Sequence, residues 1–202
     1  MNIIFVTQRT VYLPEITESR DCLDVKLYDF IIKCGFLPVT IPNNLLVIDK
    51  LDTWVKKFDP VGIIFSGGED IGVNKIRDKL EEKLIYFATK NNLPILGICR
   101  GLQVLGLNSG QVKLKPVSKH VKVDHKVEGC VNRIVNSFHN YALDACPKGY
   151  TVIAKSTDDN IEAIFNKECH FLGIMWHPER EKCFKKEDIL LVRKLMRREA
   201  LF

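Results

Sequence analysis

Four short apolar runs, at residues 2–7, 61–65, 95–98 and 171–175, are rich in Ile and Val and predict strands buried on both faces. Between them the apolar positions change to a helical period. Leu23, Leu27, Phe30, Ile31 and Cys34 fall at three- and four-residue spacings and stop at Gly35, which predicts a helix over 23–34 with a glycine terminus. Leu80, Leu84, Phe87 and Ala88 repeat the pattern over 77–90, before Asn91, Asn92 and Pro94 break it. From Lys186 onward, Ile189, Leu190, Leu195 and Met196 alternate with Arg193, Lys194, Arg197 and Arg198, as in a packed helix with a solvated basic face. Strands alternating with helices predict an α/β fold: a mostly parallel central sheet with helices on both faces and ligands at the carboxyl ends of its strands.

One stretch resists this scheme. Residues 111–126 carry Lys113, Lys115, Lys119, His120, Lys122, His125 and Lys126 against the single acid Asp124, and read as a strand or loop over one end of the sheet. No repeat, low-complexity stretch or linker divides the 202 residues, and one domain over 1–202 is expected. The apolar opening is cut short by Thr7, Gln8 and Arg9, and no run of about 20 apolar residues occurs, so a soluble, cytoplasmic protein without membrane association is expected. Seven cysteines without a CxxC pair read as reduced thiols, with no structural zinc. The net charge of +5 favours anionic ligands, but no nucleic-acid recognition motif accompanies it.

The chemistry concentrates at strand ends. Gly97-Ile98-Cys99-Arg100-Gly101 lies between a predicted strand and a helical run over 102–107, the pattern of a nucleophile elbow with cysteine as nucleophile. At a helix N-terminus the thiol meets the positive end of the macrodipole, which favours the thiolate. The other six cysteines, Cys22, Cys34, Cys130, Cys146, Cys169 and Cys183, read as small buried hydrophobes. Trp176-His177-Pro178-Glu179 follows another strand and supplies an imidazole with a carboxylate two residues on, able to orient it and stabilise its charge. Acyl transfer also needs amide donors for a developing oxyanion. The elbow offers the N–H of Arg100, and Ser66-Gly67-Gly68 offers that of Gly68.

SGGEDI (66–71), GICRGLQVLG (97–106) and GIMWHPER (173–180), in this order, resemble the class I glutamine amidotransferase superfamily and, within it, the gamma-glutamyl-gamma-aminobutyrate hydrolase-like branch. TQR, ESRDCLD, RDKLEEKLI and VNSFHNYAL extend the resemblance over nearly the whole chain. It implies a flavodoxin-like three-layer sandwich and a triad of Cys99, His177 and Glu179, which cleaves a gamma-glutamyl amide through a glutamyl-thioester without metal or organic cofactor. It also implies that Gln103 and the strand Ser137, Phe138 and His139 hold the glutamyl moiety. The sequence departs from the branch in the short stretch 72–76 before the RD helix, and in Asn108-Ser109-Gly110 followed by the basic run.

If the basic run lies at the site's rim, Lys119, His120 and Lys122 meet an anionic leaving group. The expected small-molecule substrate is then a gamma-glutamyl phosphoramidate nucleotide. Alternatives are gamma-glutamyl-aminobutyrate hydrolysis, a glutaminase subunit passing ammonia to a separate synthetase partner, or an inactive binding protein on the same fold.

Overall fold

The computed structural model describes residues 1–202. The first half of the chain runs β1 (Asn2–Val6), β2 (Arg9–Leu13), β3 (Glu18–Cys22), α1 (Val25–Lys33), β4 (Phe36–Thr40), α2 (Leu45–Asp49), α3 (Leu51–Phe58), β5 (Gly62–Phe65) and α4 (Lys75–Asn91). Next come β6 (Ile95–Ile98), α5 (Arg100–Leu107), β7 (Leu114–Pro116), β8 (Val121–Gly129), β9 (Arg133–Phe138) and β10 (Tyr141–Leu143). The chain continues through β11 (Thr151–Ser156), β12 (Ile161–Asn166), β13 (Phe171–Ile174), a 3-10 turn at Pro178–Arg180 and α6 (Lys186–Met196).

Nine strands form one sheet in the order β4-β1-β5-β6-β13-β12-β11-β8-β9. From β4 to β13 the pairings are parallel, and from β13 to β9 they are antiparallel. The carboxyl ends of β1, β5, β6 and β13 therefore share one rim, and Thr7, Ser66, Cys99 and Met175 follow those ends. Every residue of β5, β6 and β13 is buried, as expected for strands covered on both faces. Gly62 abuts Met196 of α6, whereas Phe65, three residues on and facing the other way, meets Gly101 of α5. The two helices thus cover opposite faces, and a continuous core from Ile4 to Met196 joins both layers to the sheet.

The anticipated helices form, with ends set by caps. Asp24 accepts from Lys26 N–H to open α1, and Gly35, at φ 92°, follows its last turn. Asn74 accepts from Ile76 and Arg77 N–H, so α4 begins at Lys75 and not at Arg77. The stretch 111–126 is more integrated than a covering loop: β7 pairs with β10, and β8 is a strand of the main sheet between β9 and β11. Val121 and Val123, both exposed, give β8 too weak an alternation to be read as a buried strand. All seven cysteines are free, but Cys130, Cys146 and Cys183 are exposed and Cys22 and Cys169 half-buried. Of the six read as buried hydrophobes only Cys34 fits; burial pushes its thiol up to about 12 and leaves it inert. No helix is long and apolar enough to cross a membrane.

Candidate active site

The chain turns sharply between β6 and α5, and Cys99 takes φ 52° and ψ −100° there. A side chain held at such a backbone costs about 1–3 kcal/mol and persists only where its surroundings fix it. Cys99 N–H donates to Ile174 O at 2.7 Å, tying the elbow to β13. The flanking glycines are sterically required. A Cβ on Gly97 would lie 2.5 Å from the Gly101 backbone, and one on Gly101 would lie 2.6 Å from Phe65 O. The thiol is nearly buried, at the N-terminal end of α5.

His177 sits three residues beyond β13, with its Nδ1 2.6 Å from Glu179 Oε1. Pro178 opens the 3-10 turn that folds Glu179 back onto the imidazole. Both side chains are buried. Burial opposes protonation of His177, but the charge of Glu179 and hydrogen bonds to Cys99 and Glu179 prevail and raise its pKa to about 9. At neutral pH the ring therefore holds both protons beside the Cys99 sulfur.

Two features steady this histidine. Asn136 accepts from His177 N–H at 2.9 Å and donates to His177 O at 2.8 Å. Phe138 stands perpendicular to the imidazole, with centroids 5.7 Å apart, and the Arg180 guanidinium lies over the Phe138 ring, 4.4 Å from its centroid. Beneath His177 runs the glycine loop after β5. A Cβ on Gly67 would approach His177 Cε1 to 2.7 Å, and one on Gly68, at φ 154°, would strike Arg77 and Arg9. A cleft of about 130 Å³ opens there, lined by Arg9, Ser66, Gly67, Gly68, His177 and Arg180.

A buried ionic lattice joins the glycine loop to the elbow. Arg77, fully buried, donates to Ser66 O at 2.7 Å, Gly67 O at 3.2 Å, Glu69 at 2.9 Å and Glu81 at 3.0 Å. Glu81 accepts from Thr7 Oγ1 at 2.8 Å and from Arg100, which also pairs with Asp78. The Arg100 side chain is thus turned away from the cleft, leaving only its backbone as a candidate oxyanion donor.

The remaining candidate residues take different positions. Gln103 is buried, and its Nε2 donates to Tyr141 O at 3.0 Å. Ser137 is buried and its hydroxyl is engaged by His120 O, to which it donates at 2.7 Å. His139 is also buried, with Nδ1 3.1 Å from Tyr141 O. Lys119 and Lys122 are exposed and both adopt positive φ, around a bulge where Val121 pairs with Phe138. His120 between them departs from the expected rim contact. It is buried, and its ring faces His139, Glu162 and Asp158 instead of solvent, because its carbonyl accepts from the His139 N–H and the Ser137 hydroxyl, which turns it into the sheet. Asn136, Arg77, Glu81 and Arg100 all lie within the sequence motifs, but the motifs assign no role to any of their side chains. Asn136 is adjacent to Ser137 in VNSFHNYAL, and Arg77 and Glu81 stand four apart on a helix, a spacing that pairs charges.

The chain belongs to the class I glutamine amidotransferase family, whose model matches residues 25–191. It is 29% identical over 198 residues to the gamma-glutamyl-CDP-amidate hydrolase of Campylobacter jejuni, covering 93% of this chain and 94% of that protein. It is 35% identical over 160 residues to the glutamine-hydrolysing GMP synthase of Lactobacillus johnsonii, covering 74% of this chain but 30% of that larger protein. Among solved structures, a GMP synthase subunit from Thermoplasma acidophilum superposes with a TM-score of 0.73 at 20% identity, over 98% of this chain and 94% of the other, and so shares its fold. Family membership, with a hydrolase and synthases among the relatives, implies an amide-hydrolysing enzyme.

Proposed function

We propose that this protein hydrolyses a gamma-glutamyl amide through a Cys99 thioester, with His177 as acid and base and Glu179 as its orienting carboxylate. The carrying observation is the elbow backbone of Cys99 beside an imidazole clamped by Glu179 and Asn136. In this reading the Cys99 sulfur attacks the gamma-carbonyl carbon while the N–H groups of Gly68 and Arg100 hold the oxyanion. His177, already carrying its second proton, delivers it to the nitrogen of the leaving amine as the C–N bond breaks. Water then adds to the thioester and gives a proton to His177; C–S cleavage frees glutamate and returns the Cys99 sulfur beside the protonated His177. The Gln103 amide and the backbone of Ser137–His139 hold the glutamyl end. The continuous core supports reading residues 1–202 as one domain.

For the leaving group, the proposal is a phosphate-bearing amine, with gamma-glutamyl-CDP-amidate as the specific substrate. Full-length similarity to the Campylobacter jejuni hydrolase supports this, as does exposed basic chain at Lys119 and Lys122 beside Phe138, which packs on His177. A second reading, a glutaminase that passes ammonia to a synthetase, draws on the GMP synthase relatives. Glutamate release from gamma-glutamyl-CDP-amidate, gamma-glutamyl-aminobutyrate and glutamine separates them. A strong preference for the nucleotide conjugate supports the proposal; turnover of glutamine alone, rising when a synthetase is added, rejects it.

A further inference from the structure

A second cluster of reactive side chains lies apart from Cys99, inside the antiparallel half of the sheet. His120 from the β7–β8 connection, His125 on β8, His139 after β9 and Glu162 on β12 converge there. His120 Nδ1 and His139 Nε2 are 3.2 Å apart, and lie 3.4 Å and 3.3 Å from the same Glu162 oxygen, Oε1. His125 Nε2 approaches the other oxygen, Oε2, to 3.4 Å. The donor atoms of His120, His125 and Glu162 all fall within 4.8 Å of one another. Glu162 is fully buried, and neither of its carboxylate oxygens receives a hydrogen bond; His125 Nε2 also lacks one.

The contacts of the outer ring atoms orient the two imidazoles. His120 Nε2 faces Asp158 Oδ2 at 3.0 Å, a carboxylate itself held by Ser156 Oγ and Asn160 Nδ2. His139 Nδ1 faces Tyr141 O at 3.1 Å. Tyr141 O only accepts, so His139 places its N–H outward; His120 Nε2 also lies 3.4 Å from the Asn160 amide nitrogen, but its shorter contact is with the Asp158 carboxylate, which favours an N–H there and a lone pair on Nδ1 aimed inward. Two lone pairs and a carboxylate oxygen then confront one another in a site with almost no water access. Such a face repels itself unless something positive lies between its members, either an added proton or a cation.

We propose that this cluster is a binding site for a zinc-type divalent cation, held by His120 Nδ1, His139 Nε2 and Glu162, with His125 Nε2 as the fourth ligand. Donor separations of 3.2, 3.3 and 3.4 Å match one face of the tetrahedron around zinc, whose bonds of about 2.0–2.1 Å leave edges of about 3.4 Å. Imidazole-dominated ligation selects zinc over magnesium or calcium, which take oxygen-rich shells. Asp158 and Tyr141 O stand where outer partners of metal-bound histidines stand, orienting each ring and raising its donor strength. His125 Nε2 stands 3.4 Å from Oε2, not Oε1, so its ring would swing toward the other three donors to close the shell, giving the cation a structural role. Tyr141 O also accepts from Gln103, and His120 O accepts from Ser137, so the cation would fix the strand bordering the candidate active site. The half-buried His125 edge provides the access route.

The test measures metal, not turnover. Protein carrying Cys99→Ala, with its exposed thiols alkylated, is stripped with chelator and titrated with zinc and with cobalt(II). One tight equivalent of zinc, a rise in Tm, and an intense tetrahedral cobalt spectrum without thiolate charge-transfer bands are expected. Asp158→Asn should weaken binding by about tenfold to a hundredfold. His125→Asn, at the accessible edge and compatible with folding as checked by circular dichroism, should weaken it further and remove the tetrahedral spectrum. Binding that is absent, or equally strong in His125→Asn and Glu162→Gln, overturns the proposal and leaves an extra proton to hold the cluster together.

Discussion

Asn136 brackets the peptide of His177, accepting from its N–H and donating to its carbonyl, so a residue 41 positions earlier in the chain fixes the backbone on which the candidate acid–base group turns. Its amide also donates to Glu181 Oε1 at 3.1 Å, but its contact with the candidate catalytic residues is through the His177 backbone. Asn136→Ala should therefore lower kcat on the order of a hundredfold with little change in KM, since small misplacements of a reacting group cost about that much. Asn136→Asp, which keeps the acceptor, should recover part of the loss. Steady-state kinetics check this; an equal rise in KM instead would place Asn136 in substrate binding.

The buried lattice around Glu81 predicts a stability effect. Glu81→Ala leaves Arg77 and Arg100 without their shared carboxylate in a water-poor interior, and breaking such a pair from one side costs about 3–5 kcal/mol. Urea unfolding measures it. A loss below about 1 kcal/mol would be the behaviour of an exposed pair.

The elbow predicts a steric penalty. Gly101→Ala forces a methyl to within 2.6 Å of Phe65 O and should destabilise by about 1–3 kcal/mol, with a larger proportional loss of activity because Cys99 shifts with α5. Unfolding curves and kinetics on the same preparation separate the two effects.

The raised pKa of His177 sets a pH window. Its folded value of about 9 exceeds the ordinary 6.5, so protonated His177 contributes its full stabilisation below pH 6.5, and this fades as pH rises through about 9. The stability difference between wild type and His177→Gln should shrink over that interval. A difference that stays flat between roughly pH 6 and roughly pH 10, the span in which a histidine so shifted titrates, would contradict the ion-paired state.

Replacing Lys119 and Lys122 together by Glu should raise KM for a phosphorylated substrate by about threefold to tenfold at low salt and leave glutamine turnover unchanged, because the two exposed lysines act only by long-range attraction. An unchanged KM removes the charge-based case for an anionic leaving group.

The parallel half of the sheet is legible in the sequence because β5, β6 and β13 are buried on both faces and their apolar runs stand out from the flanking helices. Cys99, His177 and Glu179 are legible because the elbow and the His-Pro-Glu turn are local patterns. The antiparallel half is harder to read. β8 exposes valines and places a lysine at its bulge, and the β2–β3 hairpin is mostly exposed, so neither shows the alternation of a half-buried strand. His120 misleads for a related reason: a histidine between two exposed lysines looks solvated, and only pairing with β9 and the approach of Glu162 from β12 show that it points inward. Long-range contacts of this kind, like the joining of Glu81 to Arg100, have no local signature.

The proposed activity stands or falls on a covalent bond to Cys99, which rapid acid quenching during turnover of a gamma-glutamyl substrate, followed by peptide mass spectrometry, would capture. A glutamyl group is expected on the Cys99 peptide of the wild type, accumulating in His177→Ala if attack still occurs, with neither adduct nor glutamate release in Cys99→Ala. Undiminished glutamate release by Cys99→Ala would contradict the thioester mechanism.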